Sequence, residues 1–366
     1  MTRTAVHRTA ATRTVRLGLA LGLAALVALA LPGSAFAHEP EFTSDFDRER
    51  CTFTSSGTNY YFPLWPGYGL LLEGEEEDEG ETVEISVLVT VLTDTETVDG
   101  VETRVVEERE SEDGELVEVS RNFMAICRET GDLWYFGEDV DDYEDGEIVG
   151  HGGAWRAGVD GAVAGVLQPG SPMNGARFQQ ELAPGVAEDR AEVIGKIDEV
   201  VVPAGTFHEV LEVLDTDALE PESEGDVKLY APGVGLIQDE EIQLVEIVPA
   251  PCMPDATTLC LEDGRFRVRA EWATDQGTEG DAMVTQVSDD SGEMWFFRAD
   301  NVELLVKVLD ACGPFDRYWF FAAGLTHVEV EITVTDTLRD VTLTYDNDLG
   351  EPFEPILDTG AFATCP

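Results

Sequence analysis

Lysine is almost missing from this chain. Lys196, Lys228 and Lys307 are all there is among 366 residues, against 75 aspartates and glutamates, and the formal net charge is −53. A surface of that sign repels phosphate backbones and anionic headgroups, which excludes nucleic acid and charge-held membranes as partners. It suits salty water, where screening shortens the Debye length to about 3 Å at 1 M salt and self-repulsion fades. The expectation is a halotolerant, acidic protein. Beyond Leu31 no apolar run is long enough to span a bilayer, so no integral membrane segment is expected. The usual catalytic signatures are missing as well. There is no His-Glu-x-x-His, no Gly-x-Ser-x-Gly elbow, no phosphate-cradling glycine loop and no Cys-x-x-Cys spacing for zinc. Nor does any segment carry a convincing amphipathic helical period.

What is present begins with an export signal. Arg3, Arg8, Arg13 and Arg16 precede an apolar run from Leu17 to Leu31, then small residues at Ala35 and Ala37. Those three parts make a signal peptide over 1–37, cleaved after Ala37, and predict a secreted, periplasmic or cell-surface protein. Six cysteines in an exported chain point to disulfides. Cys51 and Cys127 fall in the first half and pair with each other if oxidised. Cys252, Cys260, Cys312 and Cys365 allow three connectivities, between which spacing does not choose.

The apolar pattern has a period of two. Val83, Ile85, Val87, Val89 and Val91 alternate with polar residues, as do Val328, Val330, Ile332 and Val334. Asp113-Gly114 lies between two alternating arms and marks a hairpin, because both turn positions need positive φ. Glu75 to Glu79, within the acid run "LLEGEEEDEGETVEIS", read as an exposed connection that discourages sheet association. Prolines crowd "EIVPAPCMPDATT" and mark a linker. The predicted fold class is therefore all-β. After 1–37 comes a polar lead-in at 38–58, then a curved antiparallel sheet or partly open barrel at 59–248. A Pro-rich linker at 249–258 leads to a seven-stranded Greek-key β-sandwich at 259–366.

Candidate site residues concentrate in the glycine-rich stretch 133–172, read as loop-heavy. Trp134, Tyr135, His151 and Trp155 could form a sugar-binding or hydrophobic groove, His151 being left accessible by its flanking glycines. Asp139, Asp141 and Asp145 are candidate metal ligands. With Gly146 at the sixth place of a helix–loop–helix calcium loop, Tyr143 and Gly152 fall where oxygen ligands belong, so that motif fails. A looser calcium site stays open, because calcium accepts flexible oxygen geometry. No motif calls for any other cofactor.

"YFPLWPG", "DLWYFGEDV", "AWRAGVDGA", "APGVAEDRAEV", "VPAGTF" and "LYAPGVGLI" resemble segments of a family of uncharacterised secreted bacterial proteins, over about 59–248. The last two also look like parts of curved, partly open periplasmic β-barrels. "TLCLEDGRFRV", "MWFFRADNVELLVKVLDACG", "WFFAAGLTHVEVEITVTDT" and "FATCP" resemble a recurrent C-terminal β-sandwich module of exported bacterial proteins. The resemblance implies β-rich folds outside the cytoplasm and no particular reaction. The reading is an exported, non-catalytic binding or cell-envelope-associated protein. Its competitors are an extracellular hydrolase with carboxylates in 134–156, and a calcium-stabilised structural or adhesive module.

Overall fold

The computed structural model describes residues 41–78, 81–221, 223 and 225–365. The signal peptide expected over 1–37 lies outside the described residues. What is described is nearly all strand, as the period of two requires.

Thirteen strands form the main path of one large curved sheet, and three short ones, Phe53–Thr54, Glu147–Gly150 and Trp155–Arg156, pair beside it. The thirteen are β1 (Gly69–Asp78), β2 (Glu81–Val98), β3 (Val101–Glu112), β4 (Glu115–Cys127), β5 (Leu133–Glu144), β6 (Val163–Gln168), β7 (Arg177–Gln179), β8 (Glu181–Leu182), β9 (Asp189–Val202), β10 (Gly205–Asp217), β11 (Asp226–Ala231), β12 (Gly235–Asp239) and β13 (Ile242–Val248). Their order is β7-β9-β10-β11-β12-β13-β1-β2-β3-β4-β5-β6-β8, every neighbour antiparallel. The two ends of that order are consecutive in the chain. Arg177–Gln179 pair with β9 while Glu181 and Leu182 pair with β6, so one short segment bridges the margins and all but closes the ring. Gly165 is needed at this seam: a Cβ there would lie 2.4 Å from the Gln180 carbonyl oxygen.

Turn chemistry fixes the hairpins. Asp99-Gly100, Asp113-Gly114 and Asp145-Gly146 all have positive φ at both residues, the geometry that suits the right-handed strand twist. The acid run is not a connection, contrary to the expectation above. Strand pairing continues through Glu75↔Glu84 and Glu76↔Val83 to Asp78↔Glu81, so these acids extend a hairpin arm. Likewise 133–144 is a twelve-residue strand rather than loop.

The second region contains the seven strands expected and more. β14 (Leu259–Leu261), β15 (Phe266–Ala273), β20 (Glu329–Asp336) and β21 (Val341–Asn347) form one sheet, with Glu279–Asp281 added beside β15. β16 (Met283–Ser288), β17 (Ser291–Trp295), β18 (Leu304–Asp310), β19 (Tyr318–Gly324) and β22 (Ile356–Phe362) form the other. Phe266, Ile332 and Val334 from one sheet and Phe320 and Phe362 from the other are wholly buried in a shared core. Each such side chain contributes about 2–3 kcal/mol of transfer free energy. The ring has its own core, around Tyr61, Leu64, Leu72, Val106, Phe136 and Leu211.

Disulfides join Cys51 to Cys127, Cys252 to Cys260 and Cys312 to Cys365. Bonds of this kind persist in oxidising compartments. Among the described residues no helix is long and apolar enough to cross a membrane. Ring and sandwich touch where buried Arg104 on β3 reaches Asp263 at 3.3 Å; its Nε and Nη1 donate to the Ser55 and Thr93 carbonyls.

Candidate functional site

A half-open cavity of about 290 Å3 lies within the ring. Its wall can be built strand by strand. On β4, Glu118, Ser120, Asn122 and Met124 share the inner face by simple alternation. On β5 the alternation breaks. Asn122 pairs with Glu138 and Met124 pairs with Tyr135, so Phe136 and Gly137 together oppose Phe123 in a β-bulge. The bulge turns both Tyr135 and Glu138 inward, a re-aiming that strict alternation forbids. Gly137 makes it feasible: its φ is 137°, and a Cβ would lie 2.4 Å from the Trp155 carbonyl oxygen. A second bulge works the same way on β12. Leu229 pairs with Gln238 and Tyr230 with Leu236, leaving Ile237 as the extra residue, and both Leu236 and Asp239 line the cavity.

Two chemically distinct walls result. On one, Lys228 lies 3.4 Å from Asp215 and 3.4 Å from Asp239. Burial pulls the Lys228 ammonium down, but Asp239 and Asp215 outweigh it and hold its pKa well above the ordinary value. Burial raises Asp215 despite the lysine. On the other wall Glu118, Glu138, Glu181 and Asp189 meet without a cation. Burial pushes Glu138 up to about 7, the Tyr135 hydroxyl opposing this and Glu108, Glu118 and Asp189 adding to it. Glu181 is only 4% exposed, and burial together with the Asp189 carboxyl drives it up to about 10, so it carries a proton at neutral pH. Its Oε2 has no hydrogen-bond partner. Glu108 and Glu118 are raised as well, chiefly by burial.

One buried charge in the sandwich is compensated. Asp336, wholly buried, takes Arg265 Nη2 at 2.7 Å, and the same guanidinium donates to the Tyr318 hydroxyl. An unpaired buried charge costs several kcal/mol, which is why folds rarely keep one without a use. The acids facing the cavity depart from that rule.

The residues singled out from sequence are dispersed. Tyr135 lines the cavity and donates to Asn122 Oδ1 at 2.5 Å. Trp155 meets it edge-on, with ring centres 5.4 Å apart. Trp134 points to the opposite face of β5 and packs on Phe46, Phe53 and Phe136. His151 is outside, two-thirds exposed, its Nδ1 2.8 Å from the Val140 carbonyl and 3.0 Å from Asp141. Asp139 pairs with Arg156 at 2.6 Å, Asp141 with Arg121 at 3.0 Å, and Asp145 occupies a hairpin turn. Structure does not bring these three acids together. Among the described residues, the one trio of ligand atoms close enough for a metal is Cys51, Cys127 and Glu129, whose cysteines are spent in a disulfide.

Sequence reading missed Glu108, Glu118, Glu138, Glu181, Asp189, Asp215, Lys228, Tyr230 and Asp239. One signal was available. In "DVKLYAPG" a lysine and a tyrosine alternate with Val227 and Leu229, placing one of three lysines on a strand face beside an aromatic ring. In comparisons with known proteins, no family model, curated protein or solved structure matches this chain.

Proposed function

We propose that this chain is an exported, non-catalytic binding protein, acting outside the cytoplasm or at the cell envelope, that takes a small polar ligand into the ring. The observation that carries this reading is the cavity: about 290 Å3 inside a nearly closed sheet, with buried polar groups left unpartnered towards it. Concave sites with a few converging polar groups are the usual form of small-ligand sites. The signal peptide and disulfides fit an extracytoplasmic location, and the acidic surface fits salt.

The test is a thermal melt of the purified chain in about 1 M sodium chloride. Amines, sugars, carboxylic acids, alcohols and calcium are added in turn, with Ser120→Phe as a cavity-filled control. A ligand at about a hundred times its Kd should stabilise by about 2.7 kcal/mol. The expected result is that one class raises Tm saturably and that Ser120→Phe loses the response. No class doing so contradicts the reading.

A hydrolase is the second reading, favoured by one feature. Glu138, raised to about 7, shares the cavity with protonated Glu181, and a carboxyl near neutrality can move a proton. Turnover of chromogenic glycosides or esters that Glu138→Gln abolishes would establish it; a blank screen removes it.

A further inference from the structure

Hydrogen-bond polarity in the cavity narrows the ligand further, given the binding reading above. Seven carboxyl groups line it, from Glu108, Glu118, Glu138, Glu181, Asp189, Asp215 and Asp239. Against them stands one lysine, already placed between Asp215 and Asp239. Two of the other donors are spent too. The Tyr135 hydroxyl donates to Asn122, and the Asn122 amide donates to the Val106 carbonyl and to Ser120 Oγ. What remains facing the cavity on the Glu138 side is mostly carboxyl oxygen, with the Gln180 amide beside it. Among the described residues, no lysine, arginine or histidine forms an ion pair with Glu118, Glu138, Glu181 or Asp189.

Glu181 supplies the second, independent mark. It is more than nine-tenths buried, it lines the cavity, and its Oε2 is unpartnered. A buried oxygen in that state costs about 1–3 kcal/mol, which a donor entering the cavity would recover. Beyond Gln180 and Tyr230, the remaining lining is apolar, from Phe62, Leu70, Val89, Met124, Leu167 and Leu236. A bare divalent ion would find no ready triad, because no three of the lining carboxyl oxygens lie close enough together. An anion would meet seven acids. A neutral alcohol would leave their mutual repulsion in place.

We propose that the cavity binds an organic cation, a primary ammonium or guanidinium on a short apolar body, with its charged head against Glu118, Glu138, Glu181 and Asp189. Its body lies along the leucines and Phe62. Lys228 balances the charge of Asp215 and Asp239, so the cation is directed to the opposite wall.

The experiment titrates the purified chain calorimetrically with benzylamine, benzyl alcohol and benzoate, which share a ring and differ in charge. About 1 M sodium chloride suppresses loose attraction to the acidic surface. The expected result is one benzylamine per chain and at least about tenfold weaker binding of the other two, equivalent to about 1.4 kcal/mol. Glu138→Gln and Glu181→Leu should each weaken benzylamine at least about tenfold, the first by removing a charge partner and the second by removing the unpartnered acceptor. Glu75→Gln, on the hairpin arm, should leave it within about twofold. Circular dichroism and melting of each variant identify any that misfold, and those are replaced by Ser120→Phe. Benzyl alcohol binding as well as benzylamine, with loss in Ser120→Phe, overturns the cation and keeps the cavity. Benzylamine binding unchanged in every cavity variant overturns both.

Discussion

Lys228 and Asp239 are register partners on adjacent strands, and their charged groups lie 3.4 Å apart inside the ring. The bulge at Ile237 puts Asp239 on the same face as Leu236, and so opposite the lysine. Removing the lysine leaves Asp215 and Asp239 facing each other with no counter-charge. Lys228→Met should therefore lower stability at neutral pH by roughly 2–4 kcal/mol, in the range of breaking a partly buried pair. The loss should shrink on acidification, since burial already raises Asp215 and it protonates readily. Urea unfolding at two pH values measures this; an equal loss at both would contradict it.

The acids of the opposite wall predict how stability changes with pH. Glu138 and Glu181 have folded pKa values raised above 4.5, to about 7 and about 10. The folded chain then holds more protons than the unfolded one, so stability falls as pH rises from about 4.5. Glu138 stops contributing above about 7, and Glu181 continues to about 10. Each proton accounts for at most about 1.4 kcal/mol per pH unit. Glu181→Gln should be more stable than the parent at about pH 8 and show a shallower slope. Surface repulsion acts on both chains alike, so their difference isolates the site. Parallel slopes would count against a protonated Glu181.

Gly137 holds the bulge that turns Tyr135 and Glu138 inward. Gly137→Ala sets a Cβ 2.4 Å from the Trp155 carbonyl oxygen, at a φ of 137° that L residues rarely adopt. We expect a loss of about 2 kcal/mol or more and weakened benzylamine binding. A variant with parental melting temperature and parental affinity would show that the bulge does not shape the site.

The disulfides should rank by the chain they enclose. Cys51–Cys127 spans 76 residues and Cys252–Cys260 spans 8. Loop-closure entropy gives about 4.5 kcal/mol for the first and about 2.5 kcal/mol for the second. Paired alanine variants compared by urea unfolding test the order, and the reverse order would contradict it.

Much of the architecture was legible because short-range physics dictates it. Val83 to Val91 alternate, and they form a long strand; Asp113-Gly114 needs two positive φ values, and both are found. The acid run misled because crowded glutamates look like loop, whereas Leu70 and Leu72 anchor one arm in the core and pairing carries the rest along. The cavity was illegible for two reasons. Bulges at Phe136–Gly137 and Ile237 shift the phase of alternation, so Glu138 and Asp239 read as outward. On β4 the opposite face is apolar as well, Val119, Phe123 and Ala125 being buried, which makes Glu118, Ser120 and Asn122 look like the solvent side. Among 75 acids, those few turned inward carry no mark of their own.

The most direct measurement is a crystal of the chain soaked with 4-bromobenzylamine, read by the anomalous signal of bromine. The account predicts one bromine site inside the ring near the apolar lining, with the amine directed to Glu181. Bromine confined to the outer surface, with the cavity holding none, would contradict it.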